Sequence, residues 1–142
     1  MGRPRMPAST SAEATLDALA DPVLVRGPGG RVLYVNAAAA TLFAATAEAL
    51  IGREASSLVP ERLREVEGEP FFDWLATRYR TMGRPVRVPM LRSDGVEIHQ
   101  VARVSTSTIG PGQVAVVAIF RPPTEDIDHA TDPLQLEYGE NP

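Results

Sequence analysis

The sequence predicts an α+β fold, in which helices pack on one face of an antiparallel sheet. Two short apolar segments, 23–25 and 32–35, flank the glycine-rich turn 27–30, as in a β-hairpin. Segments with helical rather than strand periodicity follow, from residue 36 to about residue 82. Three further apolar runs, separated by glycine-containing turns, then occupy residues 86–120. Strands on both sides of a block of helices are typical of the α+β class.

The first twenty residues predict a mobile segment followed by a helix. Residues 1–10 are rich in proline, serine and arginine, which is typical of a flexible terminus. Ser11 can cap a helix that runs through Leu19, with Leu16 and Leu19 on one face. These two leucines are the candidate dimer contacts of the chain.

Two capping residues predict the short helices after the first hairpin. Asn36 precedes an alanine-rich segment through Phe43, and a cap of this kind contributes about 1 kcal/mol. Thr46 can cap a second short helix, which ends at Gly52 because glycine tolerates the left-handed conformation there.

The longest predicted helix runs from Phe71 to Met82. Its apolar stripe has the spacing of a buried face and consists of Phe72, Leu75, Tyr79 and Met82. Trp74 falls beside this stripe, which favours surface or interface packing for its ring. The charged stretch before the helix, residues 61–69, is interrupted by Gly68 and predicts no regular element.

The pattern of apolar residues in the C-terminal strands predicts that one face of the sheet is directed at the helices. Val86, Val88 and Met90 alternate with other residues in the first of them. In the next strand, after the Ser93–Gly95 turn, the inward face holds Ile98, Gln100, Ala102 and Val104. The last strand, 114–120, is apolar on both faces and is predicted to be central in the sheet.

Composition limits the possible functions. The 142 residues are enough for one domain, here 11–121, and the remainder 122–142 is an acidic tail predicted to be disordered. A net charge of -4 argues against a nucleic-acid partner. No apolar run approaches the ~20 residues that span a bilayer, so we expect no membrane association and a cytoplasmic location. Without cysteine, the chain has no disulfide and no thiolate-bound metal.

Five segments in a fixed order resemble a bacterial PAS domain. The N-terminal ones are Asp21–Val25, Gly30–Asn36 and Ala37–Phe43, followed by Ala49–Arg53. The last is Leu91–Glu97, which matches the family's "L-R-x-D-G-x-E" hairpin. The resemblance covers roughly residues 12–121. It implies a five-stranded antiparallel sheet, a small-molecule pocket between sheet and helices, and a homodimer formed through the N-terminal helix or the outer face of the sheet.

Departures from the family pattern limit which cofactor the protein could bind. Light-sensing relatives bond a flavin through cysteine, which this chain lacks, so a cysteine-linked flavin is excluded. Haem-binding relatives commonly use a histidine on the long helix, and 71–82 contains none, which argues against haem. Pro122 and Pro123 follow the last strand, where many relatives continue into a signalling helix. A signalling partner, such as a kinase or regulator, would therefore act in trans.

The resemblance and the inward-facing pattern together predict a ligand site, with Gln100 as its polar residue. The candidate ligand contacts are Phe43, Phe72, Leu75, Tyr79, Met90, Ile98, Gln100 and Ala102. A buried amide needs hydrogen-bond partners, so Gln100 contacts a ligand, bonds to backbone or water, or faces solvent after a register slip.

Other polar residues have simpler interpretations. His99 points away from Gln100 and is expected on the exposed sheet surface, with a metal, haem or pH-sensing role as the alternative. His129 lies among tail aspartates that are either solvated or a weak cation site. Arg92 is expected to be a surface charge, although it could reach an acidic ligand or partner.

The leading hypothesis is a sensory module that binds a small, largely apolar ligand. The alternative is a ligand-free interaction or dimerisation adaptor, in which bulky inward side chains fill the cavity. The sequence contains no catalytic constellation of nucleophile, base and orienting group, so we expect that the protein is not an enzyme. A small isomerase with a carboxylate base is the third possibility.

Overall fold

The computed structural model of the chain describes residues 21–79 and 85–123. The strands there are β1 (Val23–Arg26), β2 (Val32–Val35), β3 (Glu65–Val66), β4 (Glu69–Pro70), β5 (Val86–Leu91), β6 (Glu97–Gly110) and β7 (Gln113–Arg121). The helices are α1 (Ala37–Leu42), α2 (Ala47–Leu50) and α3 (Phe71–Tyr79), with short 3-10 segments at Ala55–Leu58 and Glu61–Leu63.

Five strands form one antiparallel sheet in the order β2-β1-β7-β6-β5. Helices cover one of its faces, which confirms the predicted α+β class. The predicted central position of the last strand is also confirmed, because β7 lies between β1 and β6. Its outward residues Val117 and Ile119 are only partly buried, so the two faces of this strand are not equally covered.

Register decides which side chains meet the helices. Leu24 of β1 lies opposite Ala118 of β7, and Ala102 of β6 lies opposite Phe120. All four belong to a single buried core cluster, together with Val88 of β5. We call this side of the sheet the helix-covered face. The inward face predicted for the C-terminal strands is confirmed by this cluster.

Turn and cap chemistry places the first helices as predicted. The Asn36 side chain accepts a hydrogen bond from the backbone of Ala39, and Thr46 does the same for Ala49. Gly52 follows α2 with a φ of 94°, in the region where glycine is favoured.

A small hairpin of β3 and β4 occupies the stretch for which no regular element was predicted. Its loop is Glu67 and Gly68, with φ of 55° and 84°. Two successive residues with positive φ suit a two-residue hairpin turn. Each strand has two residues, too few to show a period in the sequence. The hairpin buries Val66 beside α3.

Trp74 corrects the sequence analysis, because it is buried rather than at the surface. Its side chain is 3% exposed and belongs to the core cluster. The ring stacks on Phe71 with centroids 6.2 Å apart, and the Arg78 guanidinium lies 5.2 Å from the ring centre. Helix α3 contacts β3 and β4 as well as the sheet, so its buried arc is wider than one stripe.

Some predictions fall outside the described residues. These are the N-terminal segment 1–10, the helix carrying Leu16 and Leu19, the end of the long helix at Met82, and the acidic tail with His129. Within residues 21–79 and 85–123, no helix combines the length and apolar character needed to cross a bilayer.

Candidate functional site

Most of the predicted ligand contacts lie together on the helix-covered face. Phe43, Phe72, Leu75, Met90 and Ala102 are at most 3% exposed and share one core cluster, against which Ile98 packs. Tyr79 ends α3, and its side chain is outside the described part of the structure.

Large side chains fill the middle of this cluster. The rings of Phe43 and Phe120 meet edge to face, with centroids 6.0 Å apart and planes at 85°. Phe71 and Phe72 form a second edge-to-face pair at 5.6 Å. Such pairs stabilise a core beyond the area they bury. The centre of the helix-covered face is therefore well packed.

Gln100 is one of the few polar side chains buried in the described residues. It is 7% exposed and lies opposite Val88 in the β5–β6 pairing. Its Nε2 donates a hydrogen bond of 3.1 Å to the carbonyl oxygen of His99. Its Oε1 is buried and accepts none from the described residues. An unpaired buried acceptor costs about 1–3 kcal/mol, so a donor placed here would be favoured.

His99 lies on the opposite face of the sheet, as predicted, in an exposed ionic group. Its Nε2 is 3.5 Å from Glu97, and its side chain is 54% exposed. Arg62 donates to both carboxylate oxygens of Glu97, at 3.1 and 2.8 Å. These hydrogen bonds hold the pKa of the Glu97 carboxyl below its ordinary value. Within residues 21–79 and 85–123, no group of three or more metal-ligating side chains comes together.

Arg92 uses its guanidinium within its own turn. It forms an ion pair with Asp94, which lowers the pKa of the Asp94 carboxyl mainly through this hydrogen bond. The backbone of Arg92 also bonds to Val96 across the turn. These contacts agree with the surface role expected for Arg92.

A cleft of about 720 Å³ opens where the start of α3 meets the turn between β1 and β2. The residues that line it include Phe71, Phe72 and Asp73 from α3, Arg26 from β1, and Arg64. Phe72 is the one predicted ligand contact that lines it. The cleft is therefore a second possible site, at one end of the space between sheet and helices.

Arg26, for which the sequence pattern indicates no role, is buried beside this cleft. The residue is 7% exposed, and its Nη2 lies 2.7 Å from the Asp73 carboxylate. Its Nη1 donates to the carbonyl oxygen of Gly27 at 2.8 Å. Its Nε is buried and has no partner among the described residues. In the sequence, an arginine between an apolar strand and a glycine-rich turn looks like an ordinary exposed turn residue, and Asp73 is 47 positions away.

Comparison with known proteins supports the fold. The chain is 12% identical to a PAS domain from a two-component sensor histidine kinase, with a TM-score of 0.62 over 80% of this chain and 95% of that one. It is 17% identical to a PAS domain from Colwellia psychrerythraea, with a TM-score of 0.63 over 84% and 99%. A PAS domain of an HTR-like protein from Haloarcula marismortui is 18% identical, with a TM-score of 0.61 over 80% and 90%.

The family itself follows from the sequence match. Comparison with curated protein sequences finds no match. The family model of the PAS fold, however, matches residues 12–123, which is most of the chain. The predicted hairpins, helix caps and five-stranded sheet are all present in the order that the resemblance implied. The chain belongs to the PAS family.

Proposed function

We propose that this protein is a sensory module that binds a small ligand between sheet and helices and controls a signalling partner in trans, such as a kinase or regulator. Family membership supports the sensory role. The observation that carries the ligand proposal is Gln100, whose Oε1 is buried and unpaired among the described residues. A ligand that donates a hydrogen bond there satisfies this oxygen, while its apolar part contacts the side chains around it.

Signal transmission would follow from the packing of the helices. Phe72 and Leu75 of α3 share the core cluster with Met90 of β5 and Ala102 of β6. A ligand inserted among them shifts α3 relative to the sheet, because a packed core has no free space to absorb it. The ligand then favours whichever pre-existing arrangement accommodates it, or changes the geometry of a homodimer formed through Leu16 and Leu19.

The second candidate is a ligand-free interaction or dimerisation adaptor. The observation that favours it is the dense packing of Phe43, Phe120, Leu75 and Met90, each at most 1% exposed. A core that is already full needs no ligand to be stable. The two candidates differ in what the purified protein carries.

Mass spectrometry of the purified chain separates the two candidates. We expect a mass excess under native conditions that disappears on denaturation, with an absorbance spectrum that shows whether the ligand is a chromophore. A bare chain of unchanged mass that forms dimers would instead support the adaptor and contradict the ligand proposal.

Replacing Gln100 with leucine tests the role of the unpaired oxygen. In protein freed of ligand, we expect Gln100→Leu to raise the free energy of unfolding by about 1 kcal/mol, because it removes the buried, unpaired Oε1 and gives up only the one hydrogen bond from Nε2 to His99. The same substitution should abolish the mass excess. Urea unfolding and native mass spectrometry measure the two effects. His99→Gln, on the exposed face of the same strand, is the control and should change neither. A destabilised Gln100→Leu variant that keeps its ligand would contradict this role.

A further inference from the structure

We propose that the cleft beside Arg26 binds a small molecule with one carboxylate on an apolar body, and that this carboxylate takes the place of Asp73 on Arg26. The inference rests on the proposed ligand-binding function and names the chemical class of ligand for this end of the space between sheet and helices.

Arg26 is built to hold a carboxylate. It is held in place by the hydrogen bond from Nη1 to Gly27, and its side chain is 9% exposed. Asp73 already shows that a carboxylate oxygen reaches Nη2 at 2.7 Å. A carboxylate that approaches a guanidinium side-on bonds to Nε and Nη2 together. Asp73 bonds to Nη2, and Nε is left without a partner among the described residues. A ligand carboxylate would therefore satisfy one more donor than Asp73 does.

Asp73 is the partner that can leave. Its side chain is 43% exposed, so water can solvate its carboxylate once the ion pair opens. Arg26, in contrast, would be left as a buried unpaired cation, which is costly. This asymmetry favours exchange of one carboxylate for another over simple loss of the pair.

The other residues of the cleft restrict the ligand. Pro28 and Pro70 give the cleft exposed apolar surface, whereas Phe71 and Phe72 are almost fully buried, and Arg64 adds a second positive charge. Glu54, Glu61 and Glu65 also line the cleft and would repel a multiply charged anion. The carboxylate of Glu54 also lies 3.6 Å from the guanidinium of Arg31, a residue that does not line the cleft. Each further negative charge on a ligand adds repulsion from these acids, so a single carboxylate directed at Arg26 is preferred to a phosphate or a dicarboxylate.

Displacement of Asp73 has a structural consequence. The Arg26–Asp73 pair joins β1 to α3, and both residues also line a second cavity of about 390 Å³ between α3 and β7. The pair thus lies between the two cavities. When a ligand takes over Arg26, α3 loses this one link to the sheet while its core packing remains, which favours the small shift of α3 that the sensory role requires.

Calorimetric titration of the full chain with phenylacetate tests the proposal, with the neutral phenylacetamide as the matched ligand. We expect phenylacetate to bind and phenylacetamide to bind at least about tenfold more weakly, because a hydrogen bond to a charged group is worth that much.

Asp73→Asn removes the competing carboxylate and should tighten phenylacetate binding. Arg26→Gln should weaken it at least about tenfold. Arg103→Gln removes the same charge from the exposed face of β6, outside the cleft lining, and should leave the affinity unchanged.

The opposite signs of the two variants make the result decisive. If the Arg26–Asp73 ion pair had only a structural role, Asp73→Asn would weaken phenylacetate binding or leave it unchanged. Either result would overturn the proposal. So would equal affinity for phenylacetate and phenylacetamide, or no binding of phenylacetate to the wild type and Asp73→Asn. If a co-purified ligand is lost in Gln100→Leu while phenylacetate does not bind, the proposed function stands and this inference alone fails. Absence of any ligand in both experiments rejects both.

Discussion

Replacing Phe43 with alanine is expected to lower the free energy of unfolding by about 3–5 kcal/mol. The ring is 0% exposed and packs edge to face on Phe120, so its removal loses apolar burial and leaves a cavity among rigid neighbours. Stability of a domain this size is about 5–15 kcal/mol, so the variant would be close to unfolding. Urea unfolding followed by the fluorescence of Trp74, the only tryptophan of the chain and buried at 3% exposure, measures the loss.

Phe43→Leu is the matched variant for this position. It retains most of the apolar volume and should cost clearly less than the alanine substitution. A cost below about 1.5 kcal/mol for Phe43→Ala would show that the ring borders a pre-existing space rather than a filled core. That result would favour a ligand in the middle of the helix-covered face over the ligand-free adaptor.

Asn36→Ala is expected to cost about 3 kcal/mol, more than an ordinary helix cap. Its Oδ1 accepts hydrogen bonds from the backbone of both Ala39 and Val23, each at 2.9 Å. Its Nδ2 donates to the carbonyl oxygen of Asp21 at 3.0 Å. Because Asn36 is 0% exposed, the two backbone donors would be left buried without this acceptor.

Thr46→Ala provides the comparison for Asn36→Ala. Thr46 caps α2 through one exposed hydrogen bond of 3.1 Å to Ala49, and its loss should cost about 1 kcal/mol. Urea unfolding of both variants gives the difference directly. Equal costs would mean that the hydrogen bonds of Asn36 with Val23 and Asp21 add nothing to its role as a cap, and would contradict this prediction.

Asn36 illustrates how far local sequence signals reach. Its role as a cap is visible in the sequence, because the side chain bonds a backbone group three residues away. The bond to Val23, 13 residues earlier, depends on how β1 and β2 pair and has no local signal. The predicted cost of about 1 kcal/mol therefore covered only the cap.

For the candidate sites too, local sequence patterns predict some features, and contacts between distant residues decide the others. Alternation along β6 was enough to place Gln100 inside, because a strand directs every second residue to the same face. Trp74 was misplaced because the β3–β4 hairpin that helps to enclose α3 is too short to leave a periodic signal. The Arg26–Asp73 pair was missed because it joins residues 47 positions apart on β1 and α3. The cleft was missed because its lining comes from segments that are distant in the sequence.

The sequence by itself determined the fold class, the turns of the main sheet, the helix caps and the faces of β5 and β6 that meet the helices. Each of these depends on backbone preferences and periodicities within a few residues of the chain. Only the tertiary structure decided which polar groups of the described residues are buried without a full set of partners, as the side chains of Gln100 and Arg26 are. Burial and pairing depend on which distant elements pack together, and both proposed ligand sites follow from that packing.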